Sequence, residues 1–211
     1  MGRQTFSFET KLYPITDVRI SGLSHTEQVE RLSVGGATLI QLREKHLSPR
    51  EFFAEAEKAL SVARSRGVRI IINDRVDIAL ALDVGGVHLG QNDIAPEVAR
   101  RLLGEDAIIG FSTHTVEQAQ AALNLPIDYI AVGPIFSTAT KANADPVVGL
   151  DGLRRVRDIV GHLPVVAIGG IGMEQAAAVI SAGADAVAVI SALLAQPSRI
   201  QDRTMELGSR L

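Results

Sequence analysis

Residues 39–74 read LIQLREKHLSPREFFAEAEKALSVARSRGVRIIIND, and this stretch decides the fold class. Apolar, β-branched runs near 37–42 and 68–72 suit buried strands. Between them, segment 50–66 places Phe53, Ala56, Ala59, Leu60 and Ala63 on one helical stripe and leaves Glu51, Glu55, Lys58 and Arg66 toward water. Ser48-Pro49 is a helix start signal. A strand, a helix and a second strand at this spacing predict a right-handed parallel crossover.

The same alternation runs outward in both directions. Strand-like runs lie near 12–16, 37–42, 68–72, 86–89, 107–111, 127–133, 164–168 and 185–190. Helical spacing or composition covers 26–35, 50–66, 75–83, 95–103, 115–123, 149–160, 173–182 and 198–209, with Thr115 and Gln118 as a second start signal. Strands apolar on both faces belong inside a helix-covered sheet, so eight such units predict a single (β/α)8 TIM barrel over residues 1–211. About 26 residues per unit is compact for a fold that spans roughly 200 to 400 residues. A doubly wound open sheet is the alternative. Against it, no G-x-G-x-x-G follows the first strand, and Gly-rich turns come late, at Gly169-Gly170-Ile171-Gly172 and before Ser191. Pro14 removes a ladder donor, so it is expected at the beginning of the first strand or at a bulge.

Composition narrows the function. The chain has 211 residues, 46% of them hydrophobic, enough for one sizeable core. A net charge of -3 and a pI near 6.0 supply no global attraction to nucleic acid or to an anionic membrane. The absence of cysteine excludes disulfides, thiolate metal sites and a cysteine nucleophile, and suits the cytoplasm. No apolar run approaches the roughly 20 residues of a membrane span, and no secretion signal is visible. Met1-Gly2 resembles a myristoylation start, but Phe6 stands where Ser or Thr is expected, so lipidation is not.

The chemistry is written at the strand ends, in LIQLREK (39–45), IIIND (70–74), VHLGQND (87–93), IIGFS (108–112), YIAVGPIFSTATK (129–141) and VVAIGG (165–170). Ligands of parallel α/β folds collect at the carboxyl ends of strands, which predicts one shared pocket. Gln41, Arg43 and Lys45 alternate toward one face, where the two cations either pair with Glu44 and neighbouring acids or bind an anion. Asp74 and Asp93 follow adjacent strands and can converge on Mg2+, although a lone Asp after a strand is usually a helix cap. Two carboxylates, phosphate oxygens and waters form a usual Mg2+ shell, and Arg43, Lys45 and Lys141 imply those phosphates. Thr138, Thr140 and Lys141 read either as a phosphoryl grip on a loop or as a plain surface turn. Gly169-Gly170 and Ser191 follow the last two strands, where barrels hold a phosphate monoester, or where glycines simply permit tight turns. His88 within a strand reads equally as a satisfied core histidine, and His114 as a cap for the next helix. Ser112 has no His-Asp partner that would make it an acyl-transfer nucleophile. Lys141 could form a Schiff base, but its company of hydroxyls and cations suits phosphate better.

In their order, QLREK, IINDRVDIALA, GVHLGQND, GFSTHT, YIAVGPIFSTATK, VVAIGGI and GADAVAVISAL resemble the thiamine-phosphate synthase family over about residues 12–195. The resemblance implies a (β/α)8 transferase that joins hydroxymethylpyrimidine diphosphate to thiazole phosphate with Mg2+. It implies pyrimidine diphosphate on Gln41, Leu42, Arg43, Glu44, Lys45, Asn73 and Lys141, with Ser112 near the pyrimidine. Mg2+ falls on Asp74 and Asp93. The thiazole phosphate falls on Thr138, Ala139, Thr140, Gly170, Ile190 and Ser191. Arg43, Lys45, Lys141 and Ser112 are the implied catalytic set, and small molecules are the implied partners. The departures are Pro14, Asn92 where an acid is frequent, and an undiagnostic loop 142–148. A thiazole tautomerase of similar fold, which needs no diphosphate site, and a non-catalytic thiamine-phosphate binding module are the alternatives.

Overall fold

Short strands buried on both faces must be covered on both faces, and a ring of strands inside a ring of helices achieves this. The computed structural model, which describes residues 6–138 and 145–211, has that architecture. The strands β1 (Leu12–Pro14), β2 (Leu39–Leu42), β3 (Arg69–Asn73), β4 (Gly86–Leu89), β5 (Ile108–Thr113), β6 (Tyr129–Val132), β7 (Val165–Ile168) and β8 (Ala186–Val189) form one parallel sheet in the order β1-β8-β7-β6-β5-β4-β3-β2. The sheet closes on itself through a parallel bridge of Ile15 with Gln41, where Thr16 N donates to Gln41 O at 2.9 Å. Closure rules out the doubly wound alternative, whose sheet keeps two open edges.

The helices are α1 (Val18–Ser21), α2 (His25–Val34), α3 (Pro49–Ser65), α4 (Val76–Ala81), α5 (Pro96–Leu103), α6 (Val116–Ala122), α7 (Gly149–Val160), α8 (Ala176–Ser181), α9 (Ser191–Leu194) and α10 (Ile200–Ser209). None of them is long and apolar enough to cross a membrane. In α3, Ser48 and Glu51 form a reciprocal capping box, with Pro49 at the first helical position. Its buried stripe is Phe52, Ala56, Ala59, Leu60 and Ala63, and Phe53 is only half-buried. Phe52, four residues before Ala56 on the same helix face, takes the centre of the stripe, and Phe53 packs against the same core from its edge. Two helices exceed the eight expected, the single turns α1 and α9, which no periodicity reveals; Asp17 caps α1 by accepting from Arg19 N at 3.0 Å and Ile20 N at 3.2 Å.

Pro14 ends β1 rather than beginning it, and no bulge is involved. Ile15 N donates to Val189 O on β8, and Thr16 N to Gln41 O on β2. By this alternation the N–H that Pro14 lacks would face β2, the side where the ring is held by an isolated bridge instead of a ladder.

Two apolar layers follow from the period of two along each strand. One lies between strands and helices. The other fills the barrel with Tyr13, Ile15, Leu39, Ile71, Ile108, Tyr129, Ala131, Val166, Ala186 and Ala188, with Phe6 and Phe8 packed against it. Along β2 to β5 the inward positions turn polar toward the carboxyl end: Leu39 gives way to Gln41, Ile71 to Asn73, Gly86 to His88, and Ile108 and Gly110 to Ser112. On β6, β7, β8 and β1 the corresponding positions stay apolar, as Ala131, Ile168, Ala188 and Ile15. The barrel mouth therefore has a polar half and an apolar half.

Two arginine clamps support the opposite end. Arg100 on α5 donates to Asp128 Oδ2 at 2.7 Å and to the carbonyls of Gly104, Glu105, Ala107 and Pro126, while Asp128 Oδ2 also accepts from Ile109 N. Arg157 on α7 repeats the pattern with Asp185 and the carbonyls of Gly161, Leu163 and Gly183, and Asp185 accepts from Val165 N. Each clamp ties a helix end to the two strands after it.

Candidate active site

The loop after β2 is shaped from beneath by a sealed histidine. His25, at the start of α2, is fully buried, with Nδ1 2.8 Å from Thr16 Oγ1 and Nε2 3.3 Å from Glu44 Oε2. Glu44 Oε1 accepts from His46 N at 2.6 Å and Leu47 N at 3.2 Å. Burial pushes the Glu44 carboxyl up, but those N–H groups and His25 together hold it below the usual range. Burial likewise lowers His25. Glu44 is thus occupied in folding the loop, and the Leu42 side chain is sealed between barrel and helices. Of the implied LREK residues, these two therefore have their side chains committed to the fold.

Arg43 and Lys45 fall in the loop after β2, which ends at Leu42, so strand alternation does not set their direction, and each has an acid. Arg43 Nη1 donates to Asp17 Oδ2 at 2.7 Å. Lys45 Nζ pairs with Asp74 Oδ2. Asp74 takes a left-handed backbone, φ 61°, as it leaves β3, and its N–H donates to His88 O at 2.8 Å. It is not the N-cap of α4, a position held by Arg75. Asp93 Oδ2 accepts from Gly90 N at 2.7 Å, which curls the loop after β4 back on itself. Removal from water raises the Asp93 carboxyl, the adjacent Asp74 carboxyl raises it further, and Gly90 N–H and Lys45 oppose both. The two carboxylates therefore do converge. Among the described residues no group of three His, Asp or Glu side chains could hold a metal, so these two acids would need ligand and water oxygens to complete a shell.

Beneath these charges runs a buried hydrogen-bonded chain. Gln41 Nε2 donates to Tyr13 Oη at 3.1 Å, Tyr13 Oη lies 3.0 Å from Tyr129 Oη, Tyr129 Oη 3.0 Å from His88 Nδ1, and His88 Nε2 2.9 Å from Ser112 Oγ. Tyr13 and Tyr129 are the only two tyrosines in the chain. The His88 ring stacks on Tyr129 with centroids 5.5 Å apart. Burial lowers its pKa to about 4, so it is neutral near pH 7. Gly110 makes the contact possible, because a Cβ there would collide with Tyr129 and lie 2.5 Å from His88 Nδ1. Asn73, inward on β3 beside this chain, has a buried Nδ2 with no partner among the described residues.

The apolar half of the mouth is bounded by the loops after β6 and β7. Ile135 N donates to Ile168 O at 2.9 Å and Phe136 N to Gly169 O at 3.0 Å. Gly170 has φ 66°, and a Cβ on it would lie 2.5 Å from Ser137 O. Ile190 and Ser191 lead into α9 at the same end. Thr138 is on this rim, whereas Ala139, Thr140 and Lys141 lie outside the described residues. His114 does not cap α6; Thr115 does, and the His114 ring meets Gly133 O at 2.7 Å.

The residues that sequence reading passed over are Tyr13, Tyr129, His25, Thr16 and Asp17. A chain with two tyrosines, each at an inward strand position, carried a signal for the first pair. For His25 and Asp17 the partners are distant and no local pattern announces them.

A parallel eight-stranded ring whose carboxyl ends gather two cationic side chains, two converging acids and an unpaired buried amide has the architecture of a (β/α)8 enzyme acting on small molecules. Residues 12–193 match the family described as thiamine monophosphate synthase. A thiamine-phosphate synthase of Chloroflexus aurantiacus is 48% identical over 186 residues, 88% of this chain and 85% of that protein. One from Roseiflexus is 46% identical over 187 residues, covering 88% and 79%. A solved thiamine phosphate pyrophosphorylase from Pyrococcus furiosus superposes with a TM-score of 0.85 at 37% identity over 95% of both chains. The chain belongs to the thiamine monophosphate synthase family, whose activity is that of a transferase.

Proposed function

We propose that this chain works as one barrel unit that joins a hydroxymethylpyrimidine diphosphate to a thiazole phosphate, forming thiamine monophosphate and diphosphate. The observation that carries the reading is the convergence of Asp74 and Asp93 with Lys45 seated on Asp74. The diphosphate lies among Arg43, Lys45, Asn73 and Lys141, with the Leu42–Glu44 backbone at its edge. Asn73 Nδ2, buried without a partner, gains an acceptor there. Gln41 and Ser112 face the pyrimidine. The apolar half of the mouth takes the thiazole, with its phosphate toward Thr138, Ala139, Thr140, Gly170, Ile190 and Ser191.

Asp74 and Asp93 suit Mg2+: hard oxygen donors, already holding a positive group in the form of the Lys45 ammonium. The ion, when bound, neutralises charge on the departing diphosphate. The chain's own part is positional. Arg43, Lys45 and Lys141 stabilise the negative charge that grows as the bond from methylene carbon to diphosphate oxygen breaks. The thiazole nitrogen then supplies the electron pair of the new C–N bond, held in line by its distant phosphate. No protein nucleophile is required: the chain has no cysteine, and although Ser112 does have a histidine partner in His88, the other ring nitrogen of that histidine meets Tyr129 Oη and not the carboxylate that a Ser-His-Asp triad needs. A thiazole tautomerase would leave Arg43, Lys45, Asp74 and Asp93 without a task. A chain free of cysteine suits the cytoplasm as the place of reaction. The test is to mix both substrates with and without Mg2+ and assay diphosphate; release only with the ion supports the reading, and no release under either condition overturns it.

A further inference from the structure

The buried chain through the barrel has a direction. A phenol has one proton to give, and Tyr13 Oη receives one from Gln41 Nε2, so its own proton goes to Tyr129 Oη. Tyr129 must then donate to His88 Nδ1. A neutral imidazole that accepts at Nδ1 carries its proton on Nε2, which therefore donates to Ser112 Oγ. Ser112 is left with a proton to offer outward. At the other end, Gln41 Oε1 accepts no hydrogen bond among the described residues. The two ends sit on β2 and β5, on opposite sides of the polar half of the mouth, and among the described residues this hydrogen-bonded chain joins them through β1, β6 and β4.

We propose that Tyr13, Tyr129 and His88 are positioning residues that couple the ends of this relay, holding Gln41 as an acceptor and Ser112 as a donor, and so select a ring that offers an amino proton beside an unprotonated ring nitrogen. This rests on the function proposed above and extends it to specificity. An aminopyrimidine has the matching pattern, its amine donating to Gln41 Oε1 and a ring nitrogen accepting from Ser112. An oxo-pyrimidine has the reverse pattern, a carbonyl acceptor beside a ring N–H. Accepting it demands that the Gln41 amide, both phenols, the imidazole tautomer and the Ser112 hydroxyl all invert together inside a sealed barrel. Breaking the relay in the middle lets each end turn separately, which makes the mismatched ring easier to hold. Removing one buried partner in this way is worth roughly ten-fold.

The experiment compares kcat/KM for the amino- and oxo-pyrimidine diphosphates in the wild-type chain and in Tyr129→Phe, with thiazole phosphate saturating and each protein assayed well below its melting temperature. The expected result is a wild-type preference for the amino substrate that falls about ten-fold in Tyr129→Phe, while KM for thiazole phosphate stays within about two-fold. An unchanged preference ratio overturns the proposal even if overall activity drops, because a merely structural loss lowers both substrates alike. Tyr13→Phe breaks the relay at a different joint and should narrow the ratio in the same way. Should both variants fold poorly, 15N NMR of histidine-labelled wild-type protein reads the relay directly: protonation of His88 at Nε2 supports it, and protonation at Nδ1 overturns it. A wild-type chain that condenses neither pyrimidine with the thiazole refutes the proposed function itself and the relay with it; one that condenses both at equal efficiency refutes the relay alone.

Discussion

Lys45 Nζ pairs with Asp74 Oδ2 across the tips of β2 and β3, so a cation from one strand end occupies a carboxylate proposed to serve a metal from the next. The Lys45 side chain is 44% exposed, and a pair that open contributes at most about 1 kcal/mol to folding. Lys45→Ala should therefore shift the melting temperature by no more than a few degrees, yet reduce kcat/KM for the pyrimidine diphosphate by about a hundred-fold or more. Thermal melts and steady-state kinetics on the same preparation decide between a structural and a functional lysine.

Asp93 shares its surroundings with Asp74, and removing it leaves one acid for a doubly charged ion. Asp93→Ala should abolish Mg2+-dependent thiamine phosphate formation while preserving the far-UV circular dichroism spectrum. Because Gly90 N loses its acceptor, a stability loss of about 1 kcal/mol is also expected. Unchanged turnover would remove Asp93 from the metal site.

His25 and Glu44 form the buttress beneath the cationic loop, with side chains 0% and 6% exposed. His25→Ala leaves a buried carboxylate short of a partner and opens a cavity, so a loss of about 2 to 4 kcal/mol in chemical denaturation is expected. The displaced loop should raise KM for the diphosphate substrate more than for the thiazole phosphate. Equal effects on both substrates would make His25 a plain core residue.

Acid should destabilise the fold through His88 before most carboxylates titrate. Its pKa falls from 6.5 in the unfolded chain to about 4 when folded, so between those values the unfolded state binds a proton that the native state does not. Stability from this residue is fully present above about pH 6.5 and declines as pH falls toward 4, by roughly 2 kcal/mol at pH 5. His25, also lowered by burial, acts in the same direction. Urea denaturation at pH 8 and pH 5 measures the difference, and a stability independent of pH across that window would contradict a neutral, sealed His88.

The two arginine clamps look alike but differ in solvation. Arg100 and Asp128 are 6% and 7% exposed, whereas Arg157 and Asp185 are 23% and 46% exposed. Arg100→Ala strands a buried carboxylate and several carbonyls and should cost about 3 to 5 kcal/mol, with Arg157→Ala costing clearly less. Equilibrium unfolding of the two variants orders them.

The amino-acid sequence by itself determined the eight-unit alternation, because periods of 2 and 3.6 are local properties, and apolar runs such as IIIND and VVAIGG carry the strand signal and its polar tip together. It also determined which face carries the proposed site, since parallel strands all deliver their carboxyl ends to one face, and Asp74, Asp93, Arg43 and Lys45 all follow strand ends there. A boundary slipped where Pro14 had to be placed without knowing which side of β1 lacks a ladder. Only the tertiary structure decided which groups face each other across the ring. Tyr13 and Tyr129 are 116 residues apart yet share a hydrogen bond, and His25 meets Glu44 over 19 residues, contacts that no periodicity encodes. The physical reason is that closing a sheet into a barrel fixes the distance between non-neighbouring strands through stagger and tilt, quantities set by the whole ring and by no segment of it.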